Sequence, residues 1–488
     1  MSVRLSRHAP APLAAALAAS LGLAVGVAMW WHPAVLTIAA LLLVVLTILR
    51  WPEAGVIAVI AVATLLPLGV VPLRIVFAPT FLDVAVSGTL AVVALRCALR
   101  HEPLELTRPH GLLFLFIGLA VVSLILGTAQ ARISAEELRL FLKLVNATLL
   151  AVSAFQIVRS EAALTRTLRA LILGGTVAAV LAIGLHVLPT GVSIELLSSL
   201  GTLGYPTGPD VMRQVEGTTT LRATGTSVDP NVLGGMLMLI ATLVVSQIVS
   251  PRPILPRGAL AIAAISILAA VALSYSRSAW VGLVAGLGTL ALFVDRRLLL
   301  AGPAAALALL TIPQGRAIID RLLAAIRFQD QATQMRMTEY REALGLIGQH
   351  PVLGVGFGAS PTVDTSVGVS SLYLLMAEHM GLLGLTVFLL IMAAVVVGSI
   401  RVTRSRDLLR EAQNEREGRL FTSIHGLQAA LVAALVAGAF DHYFFNMRFP
   451  HMVALFWLCV GLLVAASRIT SSNTVQVNAL TSNKVWRS

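Results

Sequence analysis

Charge is what this chain has least of: Asp, Glu, Lys and Arg make up 12% of its 488 residues, about half the share usual in soluble domains. With hydrophobic residues at 57% and a mean hydropathy of +0.90, that scarcity excludes a soluble globular protein and leaves an integral membrane protein. Cysteine is almost absent. Cys97 and Cys459 both fall in apolar runs, which excludes a disulfide framework and metal-ligand spacing and argues against a redox role. No RNA- or DNA-binding motif accompanies the net charge of +12, and no repeat of fixed period is visible. No small-residue cleavage site follows the first apolar run, so that run is kept as a span and not set aside as a signal peptide.

What the chain does have is a succession of apolar runs of about 20 residues, each long enough at a helical rise of about 1.5 Å to cross about 30 Å of hydrocarbon. Fourteen candidates lie near 12–31, 33–49, 54–73, 79–99, 111–128, 139–158, 168–188, 231–249, 258–275, 278–294, 298–312, 371–399, 425–440 and 451–467. Several are short or glycine-rich, so the expected fold is an all-α integral membrane protein, a polytopic helical bundle of 12–14 transmembrane helices. Charge tests the order of the spans independently, because cytoplasmic loops hold the excess of Lys and Arg. With both termini cytoplasmic, 22 of the 35 basic residues fall on that side, and anionic lipid rather than nucleic acid accounts for much of the positive balance.

The organisation that follows is N-terminal spans over 1–188, a first outer loop at 189–230, central spans over 231–312, a large outer helical loop at 313–370, and C-terminal spans over 371–467. The loop 401–424 mixes signs at helical spacing and reads as a solvated edge of a helical hairpin. Residues 468–488 are polar and read as a disordered cytoplasmic tail. In "RAIIDRLLAAIRFQDQATQMRMTEYREALGLIGQH" apolar residues recur every three or four positions, so this outer segment is expected to form helices along the membrane face.

Three constellations collect on the outer side. In "RATGTSVDPNVLGGMLML" Arg222 precedes a turn in which Asp229 or Asn231 can cap the incoming helix, with the proline in its first turn. "SYSRSAWVGL" places Arg277 between two apolar spans, a costly position unless it faces a cavity or a partner. Phosphate suits guanidinium through charge-assisted, bidentate bonds, while an ion pair with Asp229 or Asp210 is the plainer alternative. In "QHPVLGVGFGASP" the glycines allow either a close backbone approach to a ligand or an ordinary tight turn, and His350 is either a proton acceptor or a helix stop. His379 in "YLLMAEHMGLLG", and Asp441 and His442 in "FDHYFFNMRFPH", are further titratable groups near the outer edge, as is Asp364 in the loop.

Taken in order, "LRATGTSVDPNVLGGMLML", "SYSRSAWVGL", "REALGLIGQHPVLGVGFG" and "SLYLLMAEHMGLLGLTVFLL" resemble the O-antigen ligase and polymerase superfamily of bacterial envelope enzymes, over roughly residues 215–400. The resemblance implies a GT-C-type glycosyltransferase of the inner membrane that works without a metal or cofactor. Such an enzyme moves glycan from a polyprenyl diphosphate carrier to a glycan or lipid A core acceptor on the periplasmic face, with a flippase and a chain-length regulator as candidate partners. It also implies that Arg222, Arg277 and Arg336 bind the diphosphate, and that Asp229, Asn231, Tyr340 and Tyr373 shape the surrounding loops. One position departs from the pattern. Where ligases carry a His-Asn pair before this Tyr-Leu, the chain has Ser370 and Ser371, which shifts weight from ligation to lipid A core toward chain polymerisation. The proton acceptor is then open among His350, His379, His442, Asp364 and Asp441. A transporter fits less well, because span interiors are poor in acids and no paired halves with matching broken helices occur. A flippase for lipid-linked sugars and a non-catalytic homologue are the remaining alternatives.

Overall fold

The computed structural model describes residues 43, 46–71, 78–99, 102–129, 133–215, 219–300, 331–358, 369–410 and 418–485. The candidate span at 12–31, most of those at 33–49 and 298–312, the outer-loop residues 313–330, and Asp364 lie outside them. Among the described residues eight helices are long and apolar enough to cross a membrane and three shorter apolar helices accompany them, so the fold is all-α and polytopic.

The spans are α1 (Pro52–Leu65), α2 (Phe81–Leu99), α3 (Arg108–Gly127), α4 (Ala135–Ile157) and α5 (Glu161–Val187), followed by a short surface helix α6 (Thr190–Ser199). Then come α7 (Pro230–Ile248), α8 (Arg257–Leu273), α9 (Arg277–Phe293), the non-spanning α10 (Gln331–Gln349), α11 (Leu372–Arg410), α12 (Gly418–Ala437) and α13 (Pro450–Val485). Local chemistry sets many of the starts. Ser134 and Glu137 form a reciprocal capping box on α4, and Ser160 accepts from the amide of Ala163 on α5, satisfying amides that have no partner within the helix.

Burial separates centre from rim. In α7 and α13, 83% of the apolar window is buried, against 28% in α2 and 39% in α3 and α5. The rim helices therefore present Leu115, Ile125, Leu173 and Val180 outward to lipid. Small residues let the centre close up: Gly282 and Gly286 on α9 have no room for a Cβ against Met238 and Thr242 of α7 and the backbone of α12, the small-xxx-small device of membrane helix contacts.

The two ends of the bundle differ. At one end Arg166 makes a two-pronged pair with Glu53 at 2.8 Å on each arm, and Arg159 pairs with Glu102 at 3.7 Å. Arg468 pairs there with Glu105 at 2.6 Å while lying 4.0 Å over the Phe155 ring. Arg468 comes 18 residues after Pro450, about 27 Å along α13, so the starts of α7, α9, α11 and α13 all lie at the opposite end. This is the end that carries the candidate site.

Helix α13 extends from Pro450 to Val485. No glycine or proline follows Gly461 in that helix, and a helix already nucleated by packing propagates through polar residues at little cost. The loop 401–424 is helical at both edges, with α11 reaching Arg410 and α12 starting at Gly418.

The most consequential local feature is a break in α11. Gly381 has φ 66° and ψ −177°, which parts the helix ladder. Leu382 and Leu383 donate instead to the Pro351 and Val352 carbonyls at 2.8 and 3.3 Å, while the Glu378 and His379 carbonyls accept from Val355 and Gly356 at 2.8 and 3.1 Å. The glycine-rich turn thus repairs the four groups the break exposes. A Cβ at Gly381 would meet the Val352 backbone. Gly381→Ala should destabilise the fold by about 1–3 kcal/mol from the left-handed backbone alone, with more from this clash, seen as a lowered unfolding temperature of the detergent-purified protein. An unchanged unfolding temperature contradicts the break.

Candidate functional site

The first outer loop leads into a polar corner. Arg213 and Arg222 face each other across a two-residue antiparallel pair, β1 (Arg213–Gln214) and β2 (Leu221–Arg222). The Ala223 amide then bonds the Leu273 carbonyl at the end of α8 at 2.9 Å. Asp229 caps α7, its Oδ1 accepting from the amides of Asn231 and Val232 at 2.8 and 3.0 Å, with Pro230 at the first helical position. Of the two candidate caps, Asp229 takes the role, and Asn231 is left to accept from Arg222 Nη2 at 2.6 Å. Arg222 Nε also donates to the Ser274 carbonyl at 2.8 Å.

The turn from α8 to α9 lies against α7 because Gly234 leaves its space to Ser274, Ser276 and Ala279. Val228 (φ 58°) and Tyr275 (φ 50°) are the two non-glycine residues with positive φ among the described residues. Both border this corner, and such backbone strain concentrates at functional sites. Arg277 is the first residue of α9, where its charge adds to the positive end of the helix dipole instead of offsetting it. Its Nη1 donates to Thr333 Oγ1 of α10 at 3.2 Å.

A chain of polar contacts runs from here to the loop between α12 and α13. The Ser276 amide donates to Ser274 Oγ at 3.3 Å, Ser276 and Ser278 hydroxyls lie 3.2 Å apart, and Ser278 Oγ donates to Asp441 Oδ2 at 3.2 Å. Arg336 Nη2 stands 4.0 Å from the same carboxylate oxygen. Burial raises the Asp441 pKa, opposed by His442 and Arg336 and reinforced by Asp229. Arg222, Arg277, Arg336, Asp229, Asn231 and Asp441 are therefore brought together on one corner.

Tyr340 and Tyr373 hold its walls. Tyr340 Oη donates to the Ser370 and Ala439 carbonyls at 2.9 and 3.2 Å, and the Ser370 amide donates to Glu339 at 2.9 Å. These bonds fasten α10 to the start of α11, and burial raises the Tyr340 pKa. Tyr373 Oη donates to the Leu435 carbonyl of α12 at 2.6 Å. Ser371 is buried at the start of α11, where its hydroxyl faces the Leu374 amide at 3.5 Å.

The histidines are dispersed. His350 follows the end of α10, 14 residues from Arg336 and about 21 Å along the helix axis. The glycines after it meet the backbones of α3 and α11, so close approach here serves backbone packing and not a ligand. His442 Nδ1 lies 3.8 Å from Asp441 Oδ1, beyond a hydrogen bond, while its backbone amide donates to that oxygen at 2.9 Å. His379 belongs to a second hollow, lined by Glu137, Leu140, Phe357, Gly358, Leu375, Glu378, Phe445, Asn446, Met447 and Arg448.

Sequence reasoning passed over Ser278, Tyr443 and Glu378. Tyr443 is buried against Gly235, with the Ser278 hydroxyl beside its own. The sign available for Glu378 was plain: a lone carboxylate inside an apolar span is a functional flag.

Tyr340→Phe removes both bonds that hold α10 down. Amide hydrogen exchange should speed up in 331–349 while α7 and α13 stay protected, and the unfolding free energy should fall by about 1–3 kcal/mol. Unaltered exchange in that segment rules the tether out.

Residues 259–389 match a family model described as O-Antigen ligase. No curated protein matches the chain.

Proposed function

We propose, from the premise that the chain belongs to the O-antigen ligase and polymerase superfamily, that it transfers glycan from a polyprenyl diphosphate carrier to an acceptor hydroxyl at the arginine corner. Ligase- or polymerase-type function follows from the family match. The finer reading rests on one observation, the polar chain that links the α8–α9 turn, where Arg222 and Arg277 bond, to Asp441 and Arg336 at a single end of the bundle. The excess of arginine at the other end argues for that other end being cytoplasmic and the corner periplasmic.

Chemically, the acceptor oxygen attacks the anomeric carbon of the first carrier-linked sugar, the bond from that carbon to the phosphate oxygen breaks, and the diphosphate leaves as an anion. Guanidinium groups fixed where that charge grows stabilise the transition state more than the bound substrate. They supply the positive charge that a metal ion provides in other phosphate chemistry. The acceptor proton needs a base; of the two aspartates at this corner Asp229 is engaged in capping α7, which leaves Asp441. With serines at 370 and 371 in place of the His-Asn pair, this reading favours polymerisation over ligation to lipid A core.

Arg222→Ala and Arg277→Ala should each lower the rate of glycan transfer about a hundredfold or more, without change in protein level. Normal polymer in both variants removes the proposal. If Asp441 takes the proton, activity falls as pH drops through its pKa, which burial places above the ordinary aspartate value. That acid limb should therefore lie higher than for an exposed carboxylate, and Asp441→Asn should abolish it together with most activity. A wild-type limb in the Asn variant excludes Asp441 as the base.

A further inference from the structure

The second hollow has a chemistry unlike the arginine corner. Glu378 is only 5% exposed and lines the hollow, yet no hydrogen bond or ion pair reaches its carboxylate among the described residues. A carboxyl group buried without a partner is costly in a fold. Beside it the His379 ring stacks on Phe357 at 4.9 Å between centroids and 10° between planes, with Phe445 at 6.4 Å. His379 Nδ1 lies 2.6 Å from the Gly356 carbonyl. A carbonyl only accepts, so Nδ1 carries the hydrogen and Nε2 of the neutral ring is left as an acceptor. Asn446 and Arg448 bring donors to the opposite wall.

We propose that this hollow is a sugar subsite for the acceptor glycan, in which Glu378 and His379 accept hydrogen bonds from hydroxyl groups of one pyranose ring. The proposal rests on the reading of the arginine corner as the donor's phosphate site. Acceptors and donors clustered in one small hollow, with apolar side chains behind them, fit the polar rim of a polyhydroxylated ring. A lipid tail has no use for the carboxylate. A phosphate is repelled by Glu137 and Glu378, which outnumber Arg448, and the described residues include no group of three or more His, Cys, Asp or Glu placed to hold a metal ion.

The location fits as well. The loop that carries Asp441 at the corner carries Asn446 at the hollow, folded tightly by bonds from the Phe445 and Asn446 amides to the His442 carbonyl at 3.0 and 2.9 Å. Five residues span at most about 17 Å, so one oligosaccharide reaches both places. The α11 break holds the hollow together, since the carbonyls of Glu378 and His379 are tied to the turn that supplies Phe357.

The test uses full-length protein in detergent and two probes. The first is a set of lipid-free oligosaccharides released by mild acid from the host's own envelope polysaccharide, followed by saturation-transfer NMR. Wild-type protein should bind them, Glu378→Ala should weaken binding about tenfold or more, and the isosteric Glu378→Gln, which keeps the packing, roughly threefold or more. Arg222→Ala and Arg277→Ala should bind them as wild type does. The second probe is sugar-free polyprenyl diphosphate, whose binding should be lost with the arginines and kept in both Glu378 variants. Equal oligosaccharide binding by wild type and both Glu378 variants, or none by wild type, overturns the subsite. Glu378-dependent sugar binding with polyprenyl diphosphate binding indifferent to the arginines overturns the donor reading and leaves the subsite standing.

Discussion

Lipid cannot hydrogen-bond a peptide group, so a membrane helix that breaks must find other protein backbone to complete it. In this chain the break is at Gly381, and the completing segment is the turn from Pro351 to Gly356. Two carbonyls and two amides that would have paired with each other along α11 pair instead with that turn, and Ser123 of α3 lies against the Leu353 carbonyl at 3.0 Å and against the His379 carbonyl. The exchange keeps these four ladder groups satisfied while it opens a helix in the wall of the bundle. Much of the site end depends on it: the end of α10, the direction in which α11 enters the bundle beside Asp441, and the stacking of His379 on Phe357.

The same constraint explains why polar residues collect in a chain and are not scattered. Near lipid a lone serine or aspartate is expensive, whereas a file of them, each bonded to the next, is not. Ser274, Ser276 and Ser278 rise on one edge of the α8–α9 turn and end on Asp441, so the corner is internally bonded. Strain at Val228 and Tyr275 accompanies this geometry, and such conformations persist only where surrounding contacts over-determine them. The contacts around Gly234 and Gly235, where Ser274, Ser276 and Tyr443 occupy the space of a side chain, do that here.

Much of this was legible in the sequence, for a physical reason. Span-length apolar runs, the Asp-Pro-Asn start of α7 and the arginine between two spans are local signals, each written within about 20 residues. What failed to show was long-range. The glycines at 354 and 356 were readable as a close approach but not as an approach to α11, because their partners lie 23 residues downstream. Asp441 gained its meaning only when packing placed Ser278 and Arg336 beside it. His379 drew attention away from its neighbour Glu378, although the carboxylate is the costlier group to bury.

The corner and the hollow of the site end also differ in charge. The corner holds three guanidinium groups against Asp229 and Asp441, and the starts of α7 and α9 add their positive dipole ends. The balance there favours an anion, and an apolar surround strengthens that preference beyond its value in water. At the second hollow the balance inverts, with Glu137 and Glu378 against the single exposed Arg448. On the proposed reading a diphosphate is drawn to the first and not to the second, while a neutral sugar is indifferent to net charge and gains from hydrogen bonds. In the proposed transfer donor and acceptor are both glycans, and the phosphate is the chemical difference between them. Opposite fields at neighbouring sites are a direct way to make each substrate enter in only one orientation.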